Sequence, residues 1–98
     1  MLWRHGDVLL ATVEQIPASA ERQPTLVLAM GEVTGHSHRV EDARKAQIWK
    51  YGAQVFLEVQ NETRIVHQEH KPLVLPPGLY RVWQQREYTP ESILRVRD

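Results

Sequence analysis

The fold is decided by two consecutive runs, Ala46-Gln47-Ile48-Trp49-Lys50-Tyr51 and Gln54-Val55-Phe56-Leu57-Glu58-Val59. Both runs are short and contain β-branched and aromatic residues, and Gly52 lies in the tight connection between them. Runs of this kind are typical of antiparallel strands joined by a turn. A third run, Thr63 to His67, follows after Gln60-Asn61-Glu62, so we predict a three-stranded meander.

Two strand-like stretches precede this region. The first, Asp7 to Val13, is short and apolar and is bounded by Gly6 and Pro17. Residues 17–25 carry two prolines and little apolar content, which predicts a loop. The second stretch, Leu26 to Val40, contains two glycines, at 31 and 35, that predict bends or a bulge. Residues 41–45 form a charged turn in this scheme.

The last part of the chain predicts a short strand, a turn at Pro76-Pro77-Gly78 and a long strand to Tyr88. On the long strand Arg81, Trp83, Gln85 and Glu87 share one face, and Tyr80, Val82, Gln84, Arg86 and Tyr88 share the other. Whichever of the two faces points inward, it carries polar residues, so we expect a polar pocket. The tail, 92–97, fits an edge strand or a short helix.

These patterns predict an all-β fold, a small antiparallel β-barrel or sandwich with little or no helix, and we favour a closed or half-closed barrel. The 98 residues are expected to form one domain, 1–98, because they are too few for two cores. A chain of this size buries only about two-thirds of its unfolded surface, and a second copy would cover more. We therefore expect a homodimer.

Composition excludes several classes of function. Twelve basic and twelve acidic residues cancel, which argues against duplex DNA as a partner. The chain has no cysteine, so any metal would need histidine and carboxylate ligands. The apolar run from Val8 to Ala11 is too short for a signal-peptide core or a membrane span. We expect a cytoplasmic protein without a membrane partner.

The chemistry is concentrated in two segments that hold four of the five histidines, Gly35-His36-Ser37-His38-Arg39 and His67-Gln68-Glu69-His70-Lys71. His36 and His38 are two residues apart, so on a strand without a bulge they point the same way and their rings can converge. Polar surface residues of a sheet would give the same pattern, and the two interpretations carry about equal weight.

Two kinds of site use these residues. A metal site would take Glu32, His36 and His38 with His67 or His70 around Fe, Mn, Ni or Zn, as in a small cupin barrel. A metal-free site would use histidine acid–base catalysis to cleave a phosphodiester by attack of its 2′-hydroxyl. Lys71 and Arg39 would repel a dication and attract a phosphate, which favours the metal-free site.

In the metal-free site the catalytic candidates are His36, His38, His67, His70 and Lys71. Arg81 and Arg86 offer planar donors suited to phosphate. The substrate-binding candidates are Thr34, Arg39, Arg81, Gln84 and Arg86.

Four segments together resemble a family of small prokaryotic proteins. These segments are Gly6 to Leu10, Gly31 to Val40, His67 to Pro72, and Leu75 to Val82. The family is similar to the proteins of type III CRISPR loci that act as ring nucleases and degrade cyclic nucleotide second messengers. The resemblance implies a β-rich homodimer that needs no metal and holds a cyclic oligonucleotide near the subunit interface. It points to His36, His38 and the segment 67–71 as site positions.

The function predicted from the sequence is thus a metal-independent phosphodiesterase, a ring nuclease without a cofactor. Two alternatives stay open: a cupin-like protein with a divalent metal, and a nucleotide-binding module without catalysis.

Overall fold

A computed structural model describes residues 1–31 and 35–85 of the chain. Within these ranges the secondary structure consists of β-strands without a helix, which confirms the all-β prediction. No helix in them is long and apolar enough to cross a membrane. The strands are β1 (Leu2–His5), β2 (Val8–Thr12), β3 (Glu21–Gln23), β4 (Val27–Met30), β5 (Ser37–Val40), β6 (Ala46–Tyr51), β7 (Gln54–Val59), β8 (Thr63–Val66), β9 (Leu73–Leu75) and β10 (Gly78–Gln84).

The strands form two antiparallel sheets and not a closed barrel. One sheet has the order β1-β2-β10-β7-β6-β3, and the other has the order β4-β5-β8-β9. The architecture is therefore sandwich-like. The predicted hairpin of β6 and β7 is confirmed by a register that runs from Ala46↔Val59 to Tyr51↔Gln54. The predicted third run does form a strand, β8, but its place in the meander is wrong, because β8 pairs with β5 and β9 in the other sheet.

Both sheets contribute to one apolar core. The six-stranded sheet supplies Val8, Leu10, Leu57 and Tyr80 among others, and the four-stranded sheet supplies Leu28, Val40, Ile65 and Leu75. On β10, Tyr80 and Val82 are buried, whereas Arg81 and Trp83 are exposed and contact each other. The inward face of β10 is thus the one that carries Gln84, and Arg81 lies on the outer face.

Two strands are absent from the sequence prediction. β1 precedes β2 in a hairpin whose two-residue turn is Gly6-Asp7, with His5 opposite Val8. The predicted loop 17–25 contains β3, a short and largely exposed edge strand beside β6. The stretch 26–40 is a hairpin of β4 and β5, with a register shift between Val27 and Ala29. The tail and the end of the long strand, Arg86 included, lie outside the described residues.

We expect Ile65→Ala to lower the free energy of unfolding by about 2–5 kcal/mol, because Ile65 is fully buried in the core shared by the two sheets. Val74→Ala in the adjacent strand should cost less than about 1 kcal/mol, since Val74 is 49% exposed. Urea unfolding of both variants measures the difference. Equal losses would contradict the position of the core.

Candidate functional site

The five histidines of the chain meet at one end of the sandwich. Their ring contacts have centroid distances between 4.4 and 6.4 Å, and they join residues from both sheets. We call this group the histidine cluster; its members are His5, His36, His38, His67 and His70.

Strand register brings the two histidine segments together. Arg39 on β5 pairs with Val66 on β8, so the preceding His38 comes beside the following His67. Their ring centroids are 4.4 Å apart. His36 precedes β5, and its ring is 5.6 Å from that of His67. The sequence therefore identified a real convergence, although only His38 of the pair 36 and 38 lies on the strand.

The segment 67–71 is fastened to the segment before β5 by one amide side chain. Gln68 Oε1 accepts a hydrogen bond from the Ser37 N–H at 3.1 Å, and Gln68 Nε2 donates to the Gly35 carbonyl at 3.2 Å. The backbone N–H of Glu69 donates to His67 Nδ1 at 3.0 Å. These contacts fix the position of the loop relative to His38.

The hairpin of β1 and β2 adds His5 and Asp7, which the sequence reasoning did not include among the site residues. The usable signal was the alternation in β1 followed by Gly6-Asp7, a typical two-residue hairpin turn. Gly6 has φ 63°, which favours glycine. A Cβ atom there would lie 2.7 Å from His70 Nε2 and 3.0 Å from His38 Cε1, so the missing side chain also makes room for the cluster.

Gly31 has the same steric role on the other side of the cluster. A Cβ atom at this position would lie 2.7 Å from His67 Nε2 and 3.1 Å from His36 Cβ. The Gly31 N–H also donates to the His36 carbonyl at 2.9 Å. The close approach of backbone and imidazole therefore depends on the absence of a side chain.

A row of polar contacts runs through the buried part of the cluster. His5 Nε2 is 2.9 Å from the Lys71 carbonyl oxygen, and His5 Nδ1 is 2.9 Å from His38 Nδ1. His38 Nε2 is 3.2 Å from Asp7 Oδ1. Gln84 Nε2 donates to the other Asp7 oxygen at 3.0 Å and to the Met30 carbonyl.

Burial and the neighbouring imidazoles lower the pKa of three histidines of the cluster, His5, His38 and His67. Desolvation lowers the pKa of His38 to about 4, and the nearby His67 and His5 act in the same direction. Burial also lowers the pKa of His5. It lowers the pKa of His67 too, and the nearby His70 acts in the same direction. Neutral imidazoles are the form that binds metal ions or accepts a proton.

Three members of the cluster have the spacing of a metal site. His38, His67 and His70 each offer one ring nitrogen, and these atoms all lie within 4.8 Å of one another. His38 is buried, His67 is half-buried and His70 is exposed. The group therefore extends from the protein interior to solvent.

His36 lies beside this group and contacts a carboxylate instead. Its Nδ1 is 3.3 Å from Glu69 Oε1, at the more exposed side of the cluster. This nitrogen has no hydrogen bond of good geometry with any described residue. Of the ligand set predicted for a metal, His38, His67 and His70 come together, and Glu32 lies outside the described residues.

The predicted substrate-binding residues are distributed differently. Arg39 is exposed between the buried His38 and Val40, so it points to the opposite face of β5. Arg81 is on the outer face of β10, and neither arginine is brought to the cluster. Lys71 contacts His5 through its carbonyl oxygen, whereas Gln84 reaches Asp7. Thr34 and Arg86 lie outside the described residues.

A family model described as "Domain of unknown function (DUF8820)" matches residues 4–85, which is most of the chain. The chain belongs to this family. The matched range includes all five histidines and Asp7, so the whole candidate site lies within the family's domain. Comparison with curated proteins and with solved structures gave no match.

The metal-free protein should lose stability as the pH falls from about 6.5 towards 4. In this window the unfolded chain binds protons at histidines whose pKa is lowered in the folded state, such as His38. The loss should be at most about 1.4 kcal/mol per pH unit for each such histidine. Urea unfolding in EDTA at pH 7.5, 5.5 and 4.5 measures it, and His38→Gln should reduce the slope. Stability that is flat or rises on acidification would contradict the lowered pKa of His38.

Proposed function

We propose that this chain binds a divalent transition-metal ion through the imidazoles of His38, His67 and His70. The observation that carries the proposal is the grouping of three ring nitrogens within 4.8 Å of one another. Three histidines are a common ligand set for Zn²⁺ and related ions. The exposed His70 gives such an ion a path from solvent to the buried His38.

The donor set selects a class of metal. Imidazole nitrogens suit Zn, Cu, Fe and Ni, whereas Mg²⁺ and Ca²⁺ prefer oxygen ligands. Metal binding requires unprotonated nitrogen, and the lowered pKa values of His38 and His67 favour that form near neutral pH. The expected ligand is therefore a borderline divalent ion and not an alkaline-earth ion.

The charges around the cluster support a cation more than the sequence suggested. In the metal-free site predicted from the sequence, Arg39 and Lys71 are positive neighbours. Arg39 points away from His38, and the contact of Lys71 with the cluster is its partially negative carbonyl oxygen. Asp7 adds a carboxylate 3.2 Å from His38 Nε2. The charged group that contacts His38 is thus negative.

One existing contact would have to change when the ion binds. His67 Nδ1 accepts the Glu69 N–H at 3.0 Å, so a neutral His67 carries its proton on Nε2. If Nδ1 binds the ion, the hydrogen bond from Glu69 is broken. If Nε2 binds the ion, its proton must leave that nitrogen. A hydrogen bond of this kind contributes about 1 kcal/mol, which is small beside the binding energy of a divalent ion.

Tag-free protein, freed of metal by EDTA and dialysed, should bind one equivalent of Zn²⁺ or Ni²⁺ per chain in calorimetry, and it should not respond to Mg²⁺. His70→Gln should weaken binding by at least ~100-fold, more than the loss of a supporting residue would. His70 is exposed, so this variant is expected to fold.

The matched control is His36→Ala, which removes an imidazole of the cluster that lies outside the three-histidine group. Its Zn²⁺ affinity should stay within about threefold of the wild type. Absence of Zn²⁺ and Ni²⁺ binding by the wild type, or an equal loss in both variants, would refute the three-histidine site.

Metal-free cleavage of cyclic oligonucleotides is a second candidate, and one observation favours it. His36 and Glu69 pair at 3.3 Å on the more exposed side of the cluster, with His36 25% exposed and Glu69 55% exposed. An imidazole beside a carboxylate at a solvent boundary is suited to proton transfer. The buried neutral His38 would supply a second acid–base group in this reaction.

A panel of cyclic di- to hexanucleotides, incubated in EDTA and separated by chromatography, tests this candidate. Metal-free catalysis should give linear products with the wild type, and His36→Ala should lower the rate by about 10²–10⁴-fold. Lys50→Ala, an exposed change on β6, should leave the rate unaltered. Absence of products in EDTA, or full activity of His36→Ala, would reject the metal-free enzyme.

A further inference from the structure

The buried row of contacts from Lys71 to Asp7 sets a strict condition on protons. The three contacts join the Lys71 carbonyl to His5, His5 to His38, and His38 to Asp7. A carbonyl oxygen and an ionised carboxylate accept hydrogen bonds but cannot donate them. Every proton in the row must therefore come from the two imidazole rings.

Two neutral imidazoles cannot satisfy three such contacts. Each neutral ring carries one N–H, so the pair supplies two protons for three hydrogen bonds. A third proton would make one ring a cation. His38 and His5 are only 1% and 3% exposed, and a charged ring at such positions is costly. With neutral rings, one contact of the row has two lone pairs facing each other.

Three placements of the two protons are possible, and each leaves a different contact of the row unfilled. If His5 donates from Nε2 to Lys71 and His38 donates from Nδ1 to His5, the first two contacts are satisfied at 2.9 Å each. The lone pair of His38 Nε2 then faces Asp7 Oδ1. His38 is also the ring that is grouped with His67 and His70, so in this placement the unfilled contact belongs to a ring of the proposed metal site.

The distance at this contact fits two ligands of one ion. Bonds of about 2.0–2.1 Å to nitrogen and oxygen place neighbouring ligands about 3.3 Å apart in a tetrahedron and about 2.9 Å apart in an octahedron. The observed separation of His38 Nε2 and Asp7 Oδ1 is 3.2 Å, which lies in this range. Asp7 is not among the residues whose ligand atoms all lie within 4.8 Å of one another, so its carboxylate would have to move towards His67 and His70 to join them on one ion. A charge-assisted hydrogen bond between such atoms is usually shorter, about 2.7–2.9 Å.

From these observations we infer that Asp7 is a fourth ligand of the metal and that His5 is a positioning residue that holds the proton of His38 on Nδ1. The inference rests on the proposed metal binding by His38, His67 and His70. Ligating histidines commonly donate their second ring N–H to an acceptor that fixes the tautomer. Here the acceptor is His5, which is itself oriented by the Lys71 carbonyl. Gln84 holds the second oxygen of Asp7 at 3.0 Å.

The test for Asp7 is the visible absorption of the Co²⁺-loaded protein combined with a Zn²⁺ titration. Asp7→Asn keeps the shape of the side chain and suits the hairpin turn, but it removes the charge. We expect about 10–100-fold weaker Zn²⁺ binding and a shifted Co²⁺ ligand-field band. Unchanged affinity and an unchanged Co²⁺ spectrum would overturn the assignment of Asp7.

The test for His5 is the tautomer of His38, measured by ¹⁵N-edited NMR of the imidazole rings. The wild type should show His38 protonated on Nδ1, with the Nε2 resonance moving when Zn²⁺ is added. His5→Asn retains an acceptor for that proton, so its Zn²⁺ affinity should be within about threefold of the wild type. His5→Leu retains none, and it should lose about 10–100-fold in affinity.

These outcomes separate the two proposals. If the wild type binds no metal, the proposed function fails and the roles of Asp7 and His5 fail with it. If the wild type binds Zn²⁺ but His38 is protonated on Nε2, or if His5→Leu and His5→Asn bind equally well, only the role of His5 is refuted. If Asp7→Asn leaves both the Zn²⁺ affinity and the Co²⁺ spectrum unaltered, only the role of Asp7 is refuted.

Discussion

The site depends on one buried contact between the two sheets, the 2.9 Å approach of His5 Nδ1 to His38 Nδ1. His5 ends β1 in the six-stranded sheet, and His38 lies on β5 in the four-stranded sheet. Polar groups in such a position need partners, and here each ring has a polar atom within 3.2 Å on both sides. The contact therefore links the packing of the sandwich to the protonation of the cluster, because a shift of one sheet would separate the two buried ring nitrogens.

The strands that could be predicted are those with a strong local pattern. β6 and β7 are bounded as predicted because their composition and the turn between them act over few residues. The exchange of β8 into the second sheet could not be read from the sequence, since its alternation is the same in either sheet. The prediction of a closed barrel was wrong for this reason, and the alternative prediction of a sandwich was correct.

Only some residues of the candidate site could be predicted from the sequence. His38, His67 and His70 stand in two short histidine-rich segments, and their clustering was visible before the fold was known. His5 and Asp7 were not selected, because each is a lone polar residue whose meaning depends on a hairpin turn and on a contact across the sheets. The orientation of Arg39 was also set by strand alternation, which gives the residue after an inward histidine an outward side chain.

The central claim is that an ion lies among His38, His67 and His70. Anomalous diffraction at the zinc absorption edge, from crystals of tag-free protein grown with Zn²⁺, measures this directly. The account predicts one strong peak per chain, about 2.0–2.1 Å from a ring nitrogen of each of the three histidines. A cluster with no anomalous peak, in a crystal where its rings are well ordered, would contradict it.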